Sequence, residues 1–275
     1  MSRLVFLDVD GTLLNDDQQL PDSAREALTA AVAGGHRLVL CTGRSKVEIY
    51  QFLWDIGFRD IVALNGAYAE VDGTPVLDVR MPQEELTEIS EWLMDKGIDH
   101  YWLTGTNINT LGDILKVFIP PEAGGDSAAD WSAYLTQIEP YVRVGVPESA
   151  PKTVFAIPSD AKATLEDVQE HFGDRYEVIP GSLRTHVSVI GELGAPGMNK
   201  SVGMMKIAEK LGVPIEETIA IGDSDNDIEM LSVAGTSVAM GDGVPAARAA
   251  ADWVTAGVDE GGLALAFERL GLLES

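Results

Sequence analysis

The chain opens on Leu4–Leu7, apolar at every position, the pattern of a buried strand. A polar stretch, Asn15–Gln19, reads as a loop. Pro21 sits where a helix would start, Asp22–Ala33 keeps the apolar spacing of an amphipathic helix, and Gly34-Gly35 ends it. Arg37–Cys41 is a second apolar strand. This strand–helix–strand order predicts a parallel sheet with right-handed crossovers, in which ligands bind beyond the carboxyl ends of the strands. A helix is predicted from Ser45 to about Trp54, and a third strand over Ile61–Leu64. Two short runs, Ala67–Val71 and Pro75–Val79, flank Asp72-Gly73, a hairpin signal. This hairpin is expected to leave the sheet and lead into the next region.

Residues 82–190 form a second patterned region. Helices are predicted over Gln83–Lys96, Asp130–Ile138 and Ala161–Phe172, with a loop over Pro120–Asp126. Strands are predicted over Ile98–Leu103, Leu115–Ile119, Tyr141–Val146, Thr153–Ile157, Arg175–Ile179 and Thr185–Ile190. The alternation implies an α/β unit with its own core. Pro82 and the glycine-rich run Gly191–Gly197 are candidate hinges. The first pattern then resumes. A helix runs to Leu211 with Gly212 as its stop, and a strand spans Glu217–Ile221. A helix follows through Leu231, then strands over Ser237–Met240 and Asp252–Thr255, and a last helix over Gly262–Leu270. The expected fold is α/β: a Rossmann-like parallel-sheet core of residues 1–81 and 191–275, interrupted by an inserted α/β domain, 82–190.

Composition narrows the function classes. With 275 residues and 45% hydrophobic side chains, the chain has ample material for one large or two modest cores. Its net charge of −25 disfavours nucleic acid and anionic membranes as partners. The same field repels an anionic substrate, so local cations must overcome it. The single cysteine, Cys41, lies in an apolar run and cannot form an internal disulfide, which fits a reducing cytoplasm. The first strand begins within a few residues of Met1, leaving no room for a signal peptide before it. No apolar run reaches the ~20 residues that span a bilayer.

The chemistry collects at strand ends. Leu7-Asp8-Val9-Asp10-Gly11-Thr12 places two carboxylates, a glycine and a hydroxyl where the first strand stops. Strand side chains alternate, so Asp8 and Asp10 point the same way if the strand continues. Paired carboxylates there suit Mg²⁺ and can supply a nucleophile beside a proton-transfer group; a buried Asp pair capping a turn is the plainer alternative. Thr42-Gly43-Arg44 ends the second strand, where Thr42 and Ser45 could also serve as helix caps. Lys200 occupies the first turn of a helix, the positive end of its dipole, and so needs a partner. Gly222-Asp223-Ser224-Asp225-Asn226-Asp227 ends the late strand in an acidic loop.

These four stretches, in this order, resemble the four motifs of the haloacid dehalogenase superfamily of phosphohydrolases. The Thr-Gly-Arg form, the Asn65-Gly66-Ala67 turn and Gly-Asp-Ser-x-Asn-Asp are similar to its Cof-type branch (subclass IIB), which carries a large α/β cap. The resemblance implies a Mg²⁺-dependent phosphatase acting on a small phosphorylated metabolite, a sugar phosphate or related phosphomonoester. It implies Asp8 as nucleophile and Asp10 as acid/base. Thr42, Gly43, Lys200 and Asn226 would hold the phosphoryl group, with Lys200 bridging it to Asp8. Asp8, the Asp10 carbonyl and Asp223 would ligate the metal, Asp227 acting directly or through water. A phosphomutase or phosphotransferase using the same covalent step is the alternative, followed by a non-catalytic phosphometabolite-binding protein. Monomer and homodimer are both open.

Overall fold

The structure is a computed structural model that describes residues 2–111, 134–180 and 188–273. Its strands, in chain order, are β1 (Leu4–Leu7), β2 (Arg37–Cys41), β3 (Asp60–Ala63), β4 (Tyr68–Val71), β5 (Thr74–Asp78), β6 (Met81–Pro82), β7 (Asp99–Leu103) and β8 (Ile108–Thr110). There follow β9 (Val142–Val144), β10 (Ser149–Ala150), β11 (Lys152–Pro158), β12 (Glu177–Pro180), β13 (Ser188–Gly194), β14 (Thr218–Gly222), β15 (Thr236–Ala239) and β16 (Trp253–Val254). The chain divides into two compact units. The first is Met1–Arg44, Ile49–Leu77 and Asn199–Ser275; the second is Ser45–Glu48 and Asp78–Met198.

The first unit is built on an eight-stranded sheet of order β16-β15-β14-β1-β2-β3-β4-β5. The six strands from β16 to β3 are parallel, and β4 runs antiparallel to β3. A parallel sheet must be covered on both faces, and β1 shows it. Leu4 and Phe6 join one core cluster with Val39, Cys41, Val62, Met204, Ile207 and Met230, while the alternate residues Val5 and Leu7 are also fully buried. Cys41 is a core residue, its thiol pushed up by burial. The Asp72-Gly73 hairpin does not leave the sheet: β4 and β5 extend its edge. Both turn residues have positive φ, as the tight two-residue turn requires.

The second unit has a six-stranded sheet, β12-β13-β11-β7-β8-β9, antiparallel except between β8 and β9. Its core packs Leu86, Ile89 and Leu93 of the helix Gln83–Asp95, and Val168 and Phe172 of the helix Leu165–Phe172, with Trp102 and Phe155. The latter helix starts at Leu165 instead of Ala161, because a capping box between Thr164 and Asp167 fixes its N-terminus there. Gly191 and Gly194 are strand residues paired on both sides. At Gly191 a Cβ would lie 2.2 Å from the Phe155 ring, so that glycine makes room for an aromatic side chain rather than a hinge. The predicted strand Leu115–Ile119 and loop Pro120–Asp126 lie outside the described residues. The predicted helix Asp130–Ile138 is described only over 134–138, which are helical.

Candidate functional site

The three central strands of the first unit, β14-β1-β2, end side by side, and each delivers polar groups beyond its carboxyl end. Asp8 follows β1, its backbone N–H still donating to the Ile221 carbonyl of β14 at 3.0 Å. The chain turns at Gly11, whose φ of +88° would strain any other residue. A Cβ there would stand 2.4 Å from Asp223 Oδ2. Thr12 is buried, and its hydroxyl donates to Asp223 Oδ1 at 3.1 Å.

Lys200 is the first residue of the helix Lys200–Leu211, capped by Asn199, whose side-chain oxygen accepts from the Ser201 N–H. Its ammonium, fully buried, donates to Asp8 Oδ1 at 2.5 Å and to Asp227 Oδ1 at 2.6 Å. This is the partnership that a lysine at the positive end of a helix dipole needs. Burial works against its charge, but Asp227 and Asp8 outweigh burial and raise its pKa. Asp227 itself is saturated. Its Oδ2 accepts from the Asp223 and Ser224 N–H groups at 2.9 and 3.0 Å and lies 3.2 Å from the Ser224 hydroxyl, whose one proton it shares with Asn226. Gly222 must be glycine, since a Cβ would sit 2.5 Å from Asp227 Cγ.

Carboxylates outnumber cations here. One oxygen each of Asp8, Asp223 and Asp227 lies within 4.8 Å of the others. Burial first, then the Asp227 charge, raises Asp8 well above the carboxylate range, with Lys200 opposing. The same two causes push Asp223 to about 7. Asp8 Oδ2 is buried and has no hydrogen-bond partner among the described residues. A buried, unpartnered carboxylate oxygen costs free energy unless a cation or proton meets it. A hard, oxygen-seeking divalent cation fits this donor set, and Asp8 and Asp223 are the side chains that would hold it. Asp227, its oxygens committed, would act through water and by holding Lys200.

Asp10 is near enough for its charge to help raise Asp8, but its carboxylate is engaged separately. Its carboxylate takes a two-pronged ion pair from Arg44, Nε to Oδ2 at 2.8 Å and Nη2 to Oδ1 at 2.5 Å. Gln18 donates to the same Oδ1 at 3.3 Å and accepts from Arg44. Burial would raise the Asp10 carboxyl, but Arg44 and then Gln18 prevail and hold it below the usual range. Arg44 is thus bound to a carboxylate and lies over the Tyr50 ring. Gln18 is invisible in the sequence as a site residue. It reaches Asp10 because Asn15 closes the polar loop on itself, bonding Gln19 from both backbone and side chain, and nothing in the residue order gives that closure.

Thr42 is buried, with its hydroxyl accepting the Arg44 N–H at 3.1 Å. The expected helix from Ser45 is instead a 3₁₀ turn, Lys46–Glu48, and a separate helix, Gln51–Ile56. The Glu48 carboxylate accepts the Ser45 N–H at 2.7 Å and so fixes the start of the turn. Leu64 and Asn65 adopt left-handed φ of 55° and 52°, a conformation that costs L-residues about 1–2 kcal/mol each, less for Asn. Asn65 Oδ1 accepts from Asn226 Nδ2 at 3.2 Å and occupies the space where a side chain at Gly43 would go, 2.9 Å from the position of a Cβ.

A family profile described as haloacid dehalogenase-like hydrolase matches residues 5–267. Two Bacillus subtilis proteins named 5-amino-6-(5-phospho-D-ribitylamino)uracil phosphatase are similar over nearly their whole lengths. YitU is 28% identical over 281 residues, covering 95% of this chain and 94% of the relative. YwtE is 26% identical over 290 residues, covering 98% of each. Among solved structures, the HAD subclass IIB sugar phosphatase BT4131 aligns with a TM-score of 0.76 at 27% identity, over 98% of this chain and 100% of that one.

Proposed function

This chain belongs to the haloacid dehalogenase-like hydrolases, in the Cof-type branch, and on that premise we propose that it is a Mg²⁺-dependent phosphatase of a small phosphorylated metabolite, working through an aspartyl-phosphate on Asp8. The observation that carries the reading is the state of Asp8. One oxygen is fixed by Lys200 while the other, buried, has no hydrogen-bond partner among the described residues. A carboxylate so oriented can attack phosphorus without a base to activate it.

A bound divalent cation would neutralise charge on the phosphoryl oxygens and on Asp8 and Asp223. The protein's own groups do the rest. An Asp8 oxygen forms the bond to phosphorus as the bond to the leaving oxygen breaks, and Asp10 supplies that oxygen with a proton. Asp10 is ion-paired with Arg44 as the structure stands, so its protonation requires Arg44 to release it when substrate arrives. In the second step the carboxylate form of Asp10 takes a proton from the water that attacks phosphorus, and Asp8 leaves as free carboxylate. Lys200 and Thr42 stabilise the equatorial oxygens, with Asn226 beside them. Such positioned charge supplies most of the catalysis in phosphoryl transfer. The relatives act, by their names, on a phosphorylated ribityl compound and on sugar phosphates. A phosphorylated sugar or polyol is accordingly the substrate class.

Phosphate release from a panel of sugar phosphates, polyol phosphates, phosphoglycerates and nucleotides tests this, with and without Mg²⁺. Mg²⁺-dependent release that Asp8→Asn abolishes, in a variant that still folds, is the expected result. Turnover retained by Asp8→Asn would overturn the covalent mechanism.

A further inference from the structure

The turn Leu64–Asn65–Gly66 has no assigned chemistry, yet three site-bearing segments rest on it. The Leu64 N–H donates to the Arg44 carbonyl at 2.9 Å and the Asn65 N–H to the Thr42 carbonyl at 3.2 Å, which fixes the loop after β2. Gly66 lies flat against the start of the Lys200 helix. A Cβ on Gly66 would stand 1.8 Å from the Asn199 carbonyl oxygen. The Asn65 side chain touches the third segment, the loop after β14, through Asn226. Two adjacent non-glycine residues with left-handed φ, in a turn of three with positive φ, are a strained choice. The turn joins β3 to antiparallel β4, and tight hairpins also use such residues, so the backbone alone assigns it no role.

What singles the turn out is the contact of Asn65 with Asn226. Its amide is held from both ends: Oδ1 accepts from the Ser224 hydroxyl at 3.0 Å, and Nδ2 donates to Asn65 Oδ1. Without the second contact the amide could rotate by half a turn and present its oxygen, which repels phosphate, in place of N–H. We infer that Asn65 is a positioning residue: it fixes which end of the Asn226 amide faces the phosphoryl group, and its left-handed backbone brings it there. This rests on the phosphatase reading for the identity of the anion.

The test is a double-mutant cycle of Asn65→Gly and Asn226→Ala. Glycine adopts positive φ freely, so Asn65→Gly removes the orienting oxygen while keeping the turn, and its melting temperature should match that of the parent. Two readouts are taken with Mg²⁺ present: binding of orthophosphate by calorimetric titration, and kcat and KM on the best substrate of the panel. Losing one oriented donor to a charged oxygen should weaken orthophosphate about tenfold, and raise KM more than it lowers kcat. Because Asn65 acts through Asn226, the double variant should bind no worse than Asn226→Ala alone. Parental binding by Asn65→Gly, or losses that simply multiply in the double variant, would overturn the inference. A parent that binds orthophosphate but hydrolyses nothing would refute the phosphatase reading alone, and the binding cycle would still decide the role of Asn65. A parent that does not bind orthophosphate would overturn both.

Discussion

Withdrawing the divalent cation should make this protein lose stability as pH rises through neutrality, the reverse of ordinary acid denaturation. Asp223 has a folded-state pKa of about 7 against 3.8 for the free carboxyl, through burial and the Asp227 charge, and Asp8 is raised by the same causes. A carboxyl raised on folding binds more protons in the native state than in the unfolded one. Its contribution is intact below about pH 4 and is lost as pH climbs through the folded pKa. At ~1.4 kcal/mol per pH unit, the Asp223 shift corresponds to an upper bound of about 4 kcal/mol. Asp8 and Asp223 titrate jointly, which spreads the loss over both steps. A bound cation takes over the protons' role, so the difference between metal-loaded and metal-free protein should widen from pH 5.5 to 8. Buried His100, lowered to about 4, acts with opposite sign between about pH 4 and 6.5, but equally in both forms, and cancels in the difference. The assay is thermal unfolding at several pH values, in EDTA and in saturating Mg²⁺. At ~2–4 °C per kcal/mol for a chain approaching this size, the gap should open by several degrees. A gap that is constant or narrows with rising pH would refute the claim that these carboxylates hold the metal.

Other substitutions probe the supports of the site and the second unit. Gly11→Ala pushes a methyl toward Asp223 at a φ of +88°, so it should cost roughly 1–3 kcal/mol and weaken Mg²⁺ more than any surface change, as calorimetric titration would report. Arg37→Ala strips buried Asp60 of its two-pronged partner at the far end of β2. A loss of about 3 kcal/mol in urea unfolding, with KM unchanged, would mark it as structural. Thr164→Ala breaks the capping box of the second unit and should lower stability by about 1 kcal/mol without affecting orthophosphate binding.

Much of the fold was legible in residue order, for a definite reason. Strands buried on both faces read as unbroken apolar runs, and the helices between them carry their own stops, Gly212 at φ +67° being one. The parallel sheet and the ends of β1, β2 and β14 followed, and with them Asp8, Thr42 and Asp223, because ligands gather beyond the carboxyl ends of such strands. Elsewhere local rules misled. Asp72-Gly73 announced a hairpin correctly, but which sheet it joined depended on β3 offering an open edge. Gly191 reads as part of a hinge, yet it is a paired strand residue whose missing side chain leaves space for the Phe155 ring.

The sequence by itself determined that acidic and hydroxyl side chains stand at the ends of apolar strands, and that a lysine in the first turn of a helix would need a partner. The motif resemblance already pointed Lys200 at Asp8; tertiary structure alone brought Asp227 to Lys200 and Arg44 to Asp10. Lys200 lies 192 positions from Asp8, and it bridges that residue to Asp227, whereas Asp10 is claimed by Arg44 and Gln18. Charge pairing is a matter of a few ångströms in three dimensions. Order along the chain fixes the strand ends that carry these groups, but the turns at Gly11, Gln18 and Asn65 set their final approach. Each of those turns uses positive φ, which glycine and asparagine favour locally but which at Gln18 the surrounding contacts must impose.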